Sequence, residues 1–366
     1  MSAKAEMARV WRSARSTAAK RLFLDRQAEF WLGELDPVRS LGEIRARVVE
    51  VIAETADTKT FMLRPNAAWR AHRAGQYTSI EVEIDGVRAR RCYSISSAPG
   101  DALVSITVKR MPGGRVSTWL HEHVRTGHIV RLGAPAGDFV LPATTPDKLL
   151  LLSGGSGITP VMSMLRDLAA RDALHDVVFV HHARSRPDVI FRNELTELAA
   201  RHRGLRLHLC LDDDVSAPRG FDETRFAELV PDFAERSTFL CGPGPLMDRV
   251  GRLWERVGAS DLLERERFTP ALRLVSPVAS PNGVQVRLAR SERNVVAEGE
   301  GSLLEQLERA GERPVHGCRI GICHTCKCRK QSGTVQNLVT GEVSGEPDQE
   351  IQLCISVPRS DLELDL

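Results

Sequence analysis

The sequence predicts a multidomain protein: an antiparallel β-barrel, then an α/β domain on a parallel sheet, then a small α+β module, with a short helical extension in front. Three observations predict it. Between residues 42 and 141, short strand-like runs follow one another with turn residues between them, as in a closed antiparallel barrel. From Lys148 onward, apolar runs alternate with helical stretches, and the first run enters a glycine-rich turn, as buried parallel strands and their crossovers do. Beyond residue 317 lie five of the eight cysteines, in a compact spacing that asks for a module of its own.

Composition frames these units. A chain of 366 residues holds two to three domains at ~100–200 residues each. Hydrophobic content of 42% with 27% charge is that of a soluble globular protein. The formal net charge is +2, so no global field points to nucleic acid. No apolar run approaches the ~18–20 residues of a membrane span, and the N-terminus lacks the apolar core of a secretory signal. The cysteines do not read as a disulfide framework, which places the chain in a reducing cytoplasm. Pro/Thr-rich and Pro/Ser-rich seams near residues 142–147 and 276–282 divide it into a helical extension 1–40, a barrel 41–143, an α/β domain 144–272, a linker 273–281 and a final module 282–366.

In the barrel region, strands are expected at 43–53, 60–63, 78–84, 90–96, 104–110 and 129–132, broken at Asp85-Gly86 and Pro99-Gly100. Two places carry chemistry. In the run Arg91-Cys92-Tyr93-Ser94, Arg91 and Tyr93 share one strand face, and a cation beside an aromatic suits a ligand with a phosphate and a flat ring. In Met111-Pro112-Gly113-Gly114-Arg115-Val116-Ser117, glycines precede a helix start and expose backbone N–H groups to an anion. A surface arginine and a plain hairpin turn are the alternatives at each place.

The α/β region opens with Leu149-Leu150-Leu151-Leu152, then Ser153-Gly154-Gly155-Ser156-Gly157-Ile158-Thr159-Pro160 and a helix over 161–170. Strand, glycine turn and helix set a diphosphate on a helix N-terminus. The turn is not the G-x-G-x-x-G fingerprint, which disfavours a standard Rossmann dehydrogenase. Further strands are expected at 176–182, 205–211 and 237–240. The last ends in Cys241-Gly242-Pro243, where Cys241 is either a small buried hydrophobe or a site residue.

In the last module, a hairpin is expected at 284–288 and 294–297, a helix at 302–310, and strands at 333–335, 351–355 and 362–366. Cys318, Cys323, Cys326 and Cys354 are spaced C-x4-C-x2-C with a distant fourth, the spacing of a plant-type [2Fe–2S] site. One tight loop, with Gly321 for freedom in φ, offers three thiolates, and a remote strand supplies the fourth. A four-thiolate zinc site also uses C-x2-C, but pairs two short knuckles; here the second half is the lone Cys354. Cys328 is read as a free thiol and His324 as either a tuning residue or an exposed turn residue. Residues 342–366 carry seven acidic side chains against one arginine, either an acidic rim for a basic partner or a solvated face.

With these motifs in this order, the chain resembles the ferredoxin–NADP reductase superfamily, and among its members the flavin/iron–sulfur reductase components of bacterial oxygenases and desaturases. The resemblance implies a flavin barrel, a pyridine-nucleotide domain and a β-grasp ferredoxin domain. It also implies roles. Arg91 holds the phosphate side of the flavin, Tyr93 lies against the isoalloxazine, and Ser94 hydrogen-bonds near N5. Gly114, Val116 and Ser117 bind the pyrophosphate. Gly154, Gly155 and Gly157 form the nucleotide loop, with Thr159, Pro160, Cys241, Gly242 and Pro243 near the nicotinamide. Catalysis falls to Tyr93, Ser94, Thr159 and Cys241. Gln76 and Tyr77 are structural, and Phe268 lies either near the flavin or on the surface. The turn at 113–117 and the segment 133–139 have the extent to hold a dinucleotide, which favours FAD over FMN. Arg184, Ser185 and Arg186 stand where a 2′-phosphate would be read, and Arg suits phosphate, so NADPH is expected, with NADH as the other donor.

The expected acceptor is a membrane-bound fatty-acid (acyl-CoA) desaturase. The first 26 residues hold seven Lys/Arg against two acidic side chains, with Met7, Val10, Trp11, Ala14 and Ala18 at helical spacing. That is the composition of an interfacial helix, so peripheral contact with the inner membrane is expected; packing on the barrel is the alternative. Two other readings stand beside this one: the reductase component of a soluble ring-hydroxylating or phenylacetyl-CoA-type oxygenase, and a redox sensor read by a partner.

Overall fold

The computed structural model describes residues 33–34, 36–84, 86–216, 218–268, 283–317, 319, 321 and 325–366. The helix expected within the first 32 residues, the 273–281 linker, Asp85, Cys318, Cys323 and His324 lie outside the described residues.

Six strands build the first unit: β1 (Ile44–Thr55), β2 (Thr58–Pro65), β3 (Tyr77–Ile84), β4 (Val87–Ser94), β5 (Val104–Lys109) and β6 (Ile129–Leu132), with α1 (Arg115–His123) between the last two. Their order is β4-β3-β6-β1-β2-β5, antiparallel throughout. The edges meet just past β4: Ile95 bridges Ile106, and Ser96 N donates to Ser105 O at 2.8 Å, so the sheet closes. Ala46, Phe61, Leu63, Ile80 and Ile106 fill the barrel, and α1 caps it with Val116 and Leu120. Along the seam the Ser96 hydroxyl meets those of Ser105 (2.8 Å) and Thr107 (3.1 Å). Thr107 in turn meets Thr60 at 2.8 Å. Each buried hydroxyl therefore finds a partner inside the wall.

The second unit alternates β7 (Leu149–Gly154), α2 (Ile158–Ala170), β8 (Val177–Ala183), α3 (Arg192–Arg201), β9 (Leu205–Leu211), α4 (Glu223–Leu229), β10 (Ser237–Cys241), α5 (Gly244–Val257) and β11 (Leu263–Glu266). The sheet is parallel, in the order β11-β10-β7-β8-β9. Its strands are buried on both faces: Leu149 and Leu151 enter one core, Leu150 and Leu152 the other, all 0% exposed. At the opposite end from the glycine loop, Arg236 is 1% exposed and donates to both oxygens of Asp232 at 2.8 and 2.7 Å. It also reaches Asp176 and the Leu149 carbonyl. Asp232 and Asp176 are partly exposed and regain water when the guanidinium is lost. Arg236→Ala is therefore expected to cost about 1–3 kcal/mol in lost charge-assisted hydrogen bonds, read as a lower denaturant midpoint, with equal midpoints refuting the assignment.

The third unit has β12 (Val284–Leu288), β13 (Arg293–Ala297), α6 (Leu303–Arg309), β14 (Lys327–Ser332), β15 (Val335–Asn337), β16 (Val343–Ser344), β17 (Gln349–Gln352), β18 (Ser356–Pro358) and β19 (Leu362–Leu364). A mixed sheet runs β13-β12-β19-β14-β17, beside a smaller β16-β15-β18 sheet. Helix α6 starts one residue later than its pattern suggests, because Ser302 is its cap: the Ser302 hydroxyl and Glu305 form a reciprocal capping box. Cys354 sits not in a strand but in the 3₁₀ turn Leu353–Ile355. The acidic stretch at the end is paired rather than bare: Glu350 meets Lys327, Asp348 meets Arg329, Glu363 meets Arg287, and Asp365 meets Arg290. These four exposed pairs offset part of its charge and make it a solvated face.

Candidate functional site

The end of β4 carries the first cluster. Arg91 is exposed and Tyr93 half-buried, with Tyr93 opposite Thr78 on β3 and packed on the barrel core. Burial pushes the Tyr93 hydroxyl above its ordinary range. Ser94 is 4% exposed, and its Oγ has no hydrogen-bond partner among the described residues. A buried hydroxyl without a partner is costly, and a ligand atom at that place is what would satisfy it.

Glycine Gly114 is the N-cap of α1. A Cβ there would stand 2.6 Å from Ser117 Oγ and 2.9 Å from Met111 Cβ, so only glycine fits. Ser117 Oγ accepts from Met111 N at 3.2 Å and donates to Gly114 O at 3.3 Å, which locks the turn. The first N–H groups of α1, Val116 and Ser117 included, lack intrahelical acceptors. Segment 133–139 runs alongside β3: Gly133 N donates to Ser79 O at 2.7 Å and Ala136 bridges Tyr77. Phe139 then enters the core of the second unit, edge-on to Phe239.

The glycine loop and the Cys241 turn are pressed together. A Cβ on Gly157 would stand 2.2 Å from Cys241 O, one on Gly154 would meet Pro243 and Leu246, and one on Gly242 would meet Leu246. Gly155 has φ +52, so the turn demands glycine twice over. Thr159 and Pro160 are buried, and Thr159 Oγ1 donates to Ser156 O at 3.0 Å. Glu266, Cys241, Ser153 and His181 stand in register on adjacent strands β11, β10, β7 and β8. All four are buried. Burial, then the nearby Glu266, pushes the Cys241 thiol well above its usual range. Burial pushes Glu266 up to about 8 and His181 down to about 3. Ser153 Oγ meets His181 Nδ1 at 2.9 Å, while Glu266 Oε2 has no partner among the described residues. Sequence reasoning missed Glu266; its signal was position, one strand beyond Cys241.

A cavity of about 430 Å³ opens beside this loop, lined in part by Gly154, Gly155, Arg184, Phe221, Lys109 and Arg249. Arg184 and Ser185 reach the same acceptor: Asp188 takes Arg184 Nη2 and Ser185 Oγ, each at 2.6 Å. Asp57 of the barrel also approaches Arg184, at 3.4 Å, and Lys109 at 3.3 Å. Arg186 is exposed on the short turn Arg186–Asp188. Arg219 and Arg249, which sequence reasoning did not single out, also line the cavity.

In the third unit, Cys326 and Cys354 are each 2% exposed, with their sulfurs 3.3 Å apart. Leu353 N donates to Cys326 O at 3.2 Å, and Gln352 Nε2 donates to Gly321 O at 2.7 Å, so two bonds tie the loop to the remote strand. Cys328 lies 6% exposed in the module core, its Sγ 3.5 Å from the Arg329 carbonyl.

Three family descriptions match along the chain: an oxidoreductase FAD-binding domain over residues 45–141, an oxidoreductase NAD-binding domain over 151–252, and a 2Fe-2S iron-sulfur cluster binding domain over 286–359. An NADPH oxidoreductase of Mycobacterium tuberculosis is 40% identical over 361 residues, covering 97% of this chain and 93% of its own. The glycine betaine monooxygenase reductase subunit of Pseudomonas aeruginosa is 36% identical over 352 residues, covering 88% and 95%. Among solved structures, phthalate dioxygenase reductase superposes with a TM-score of 0.60 at 26% identity, over 89% of this chain and 98% of that one. With the closed barrel, the parallel sheet and the paired thiols in that order, the chain belongs to the ferredoxin–NADP reductase superfamily, as an NAD(P)H oxidoreductase carrying FAD and a [2Fe–2S] cluster in one polypeptide.

Proposed function

We propose that the protein oxidises NADPH and delivers its electrons one at a time to a membrane-bound fatty-acid (acyl-CoA) desaturase. Bound FAD would supply the conversion of a hydride into single electrons, and a [2Fe–2S] cluster would supply a one-electron carrier. The chain does the rest. Gly114, Val116 and Ser117 hold the flavin's pyrophosphate through backbone N–H groups, and Arg91 adds a cation. Tyr93 would lie against the ring, and the flavin would give Ser94 Oγ the partner it lacks among the described residues. The loop Gly154, Gly155 and Gly157, closed by Cys241, Gly242 and Pro243, holds the nicotinamide with Thr159 and Pro160 and excludes water. Glu266 keeps a proton on its carboxyl at neutral pH. Cys318, Cys323, Cys326 and Cys354 hold the iron.

The donor reading rests on Arg184 and Ser185. Both already bind one carboxylate, Asp188, so a 2′-phosphate can take the same donors. Arg184→Ala is expected to lower kcat/KM for NADPH about tenfold and leave NADH unchanged, whereas Asp188→Ala, which removes the shared acceptor, should favour NADPH. Equal kcat/KM for the two nucleotides in the wild type would sink this reading.

The acceptor reading rests on the composition of residues 1–40, basic and with apolar side chains at helical spacing. The NADPH oxidoreductase alignment covers 97% of this chain, which leaves too few residues uncovered to omit the basic segment 1–40; the betaine reductase match covers 88%. No described helix is long and apolar enough to cross a membrane. The second reading, the reductase of a soluble oxygenase, draws on relatives with such names. Protein lacking residues 1–40 should still reduce an artificial acceptor with NADPH but lose most support for desaturation in membranes. Full-length protein that turns over NADPH yet never supports desaturation overturns the acceptor. Negligible turnover with any acceptor points to the sensor.

A further inference from the structure

Helix α2 carries the nucleotide loop at its N-terminus, and its side toward the barrel bears Ser163 and Arg166. Ser163, 0% exposed, donates to Ser97 O at 2.6 Å. Arg166 Nη1 donates to Ser96 O at 2.6 Å. His72 Nε2 lies 3.2 Å from the same Ser97 carbonyl. These carbonyls are two and three residues past Ser94, and Ser96 is itself pinned by Ser105 and Thr107. The other donors of Arg166 fork onto Glu194, Nε at 2.8 Å and Nη2 at 2.6 Å, and its guanidinium lies 4.7 Å over the Phe191 ring. Phe191 holds that place at φ +59, a left-handed conformation that a bulky residue rarely adopts.

We propose that Arg166 is a positioning residue for hydride transfer: it fixes α2, and with it the nucleotide loop, against the strand end that carries Ser94. A guanidinium is planar and forked, so its two ends cannot move independently. One end is set by the nucleotide domain (Glu194, Phe191) and the other by the barrel (Ser96). It therefore fixes an angle between the two domains as well as a distance. NADPH gives up one hydride, with both electrons, to FAD and leaves as NADP⁺; Arg166 takes no part in the bonds that change. The inference rests on NAD(P)H oxidation and not on the identity of the acceptor.

The test uses full-length holoprotein carrying Arg166→Ala or Arg166→Lys. Anaerobic stopped-flow reduction of the flavin with NADPH and with 4-deuterated NADPH gives the limiting rate and its isotope effect; titration with NADP⁺ gives affinity. The Ala variant should reduce its flavin about 10- to 100-fold more slowly, as a small misplacement does. It should show a larger isotope effect, with NADP⁺ affinity changed less than about threefold. Amide hydrogen exchange should rise at 94–97 and 155–163 together. The Lys variant should recover part of the rate, because an ammonium still reaches the Ser96 carbonyl. An unchanged rate and isotope effect in a flavin-replete Ala variant overturns the proposal. So does a rate that falls only in proportion to lost flavin, with no recovery in the Lys variant. If the Ala variant fails to fold, the Lys variant and Ser163→Ala are judged by the same outcomes, and no slowing in either overturns it.

Discussion

Replacing Cys354 by serine will bleach the iron–sulfur absorbance and cut electron delivery to a one-electron protein acceptor by more than about 100-fold, while NADPH oxidation through the flavin persists. The separation follows from the fold. Cys354 lies in a buried turn with its sulfur 3.3 Å from that of Cys326, and the Leu353 N to Cys326 O bond sets the two ligand segments side by side. The backbone bonds of that turn, Leu353 N to Cys326 O and Leu338 N to Ile355 O, run within the third unit. Cys328→Ser is the matched control, since its sulfur packs in the module core beside its own backbone. It should retain about two irons per chain, as one [2Fe–2S] centre requires. Bleaching by Cys328→Ser but not by Cys354→Ser would reverse the ligand assignment.

The two cysteines also show how far sequence reaches. Spacing placed Cys326 and Cys354 together, because a cluster imposes its dimensions on any chain that holds one. It did not show that Cys354 rides on a 3₁₀ turn, since Ile351 to Ile355 reads as a strand until the neighbouring hydrogen bonds are known. Leu149 to Leu152 announced a strand buried on both faces, and a glycine loop before a helix was equally plain. Strand β14 was hidden because its residues, Lys327 to Ser332, are polar apart from Cys328. Its inward positions are Cys328 and a fully buried Lys330, whose ammonium is satisfied by the Gly333 and Glu346 carbonyls. Alternation of burial was present without alternation of hydropathy. Helix α4 buries only Phe226, too little for a helical period to register, whereas α6, equally short, buries Leu303, Leu304 and Leu307. The acidic tail was legible as charge, but its cations come from Arg287, Arg290, Lys327 and Arg329, on strands or turns whose pairing only the fold defines. Arg166 and Glu194 are 28 residues apart, and no local rule joins them.

Glu266 is the strongest case of a residue invisible in sequence, and its substitution should alter the pH response of the whole enzyme. Its backbone pairs with that of Cys241 at the carboxyl end of the sheet. Burial alone raises its carboxyl to about 8, because no cation or donor compensates for lost water. In the unfolded chain the same group titrates near 4.5. The folded value is the higher one, so the folded state binds the proton more tightly. The stability this brings is complete below about pH 4.5 and is lost as pH rises through about 8. Glu266→Gln keeps the shape and abolishes the titration. Relative to wild type it should therefore gain stability progressively between pH 4.5 and 8.5, by an amount on the order of 3–5 kcal/mol at the upper end. Urea unfolding across that range measures it. The same substitution removes the proton held beside Cys241, so NADPH oxidation is expected to fall near pH 8 in wild type and to lose that limb in the variant. Parallel stability curves for the two proteins would show that Glu266 is solvated rather than buried; a retained pH limb would show that its proton is not used.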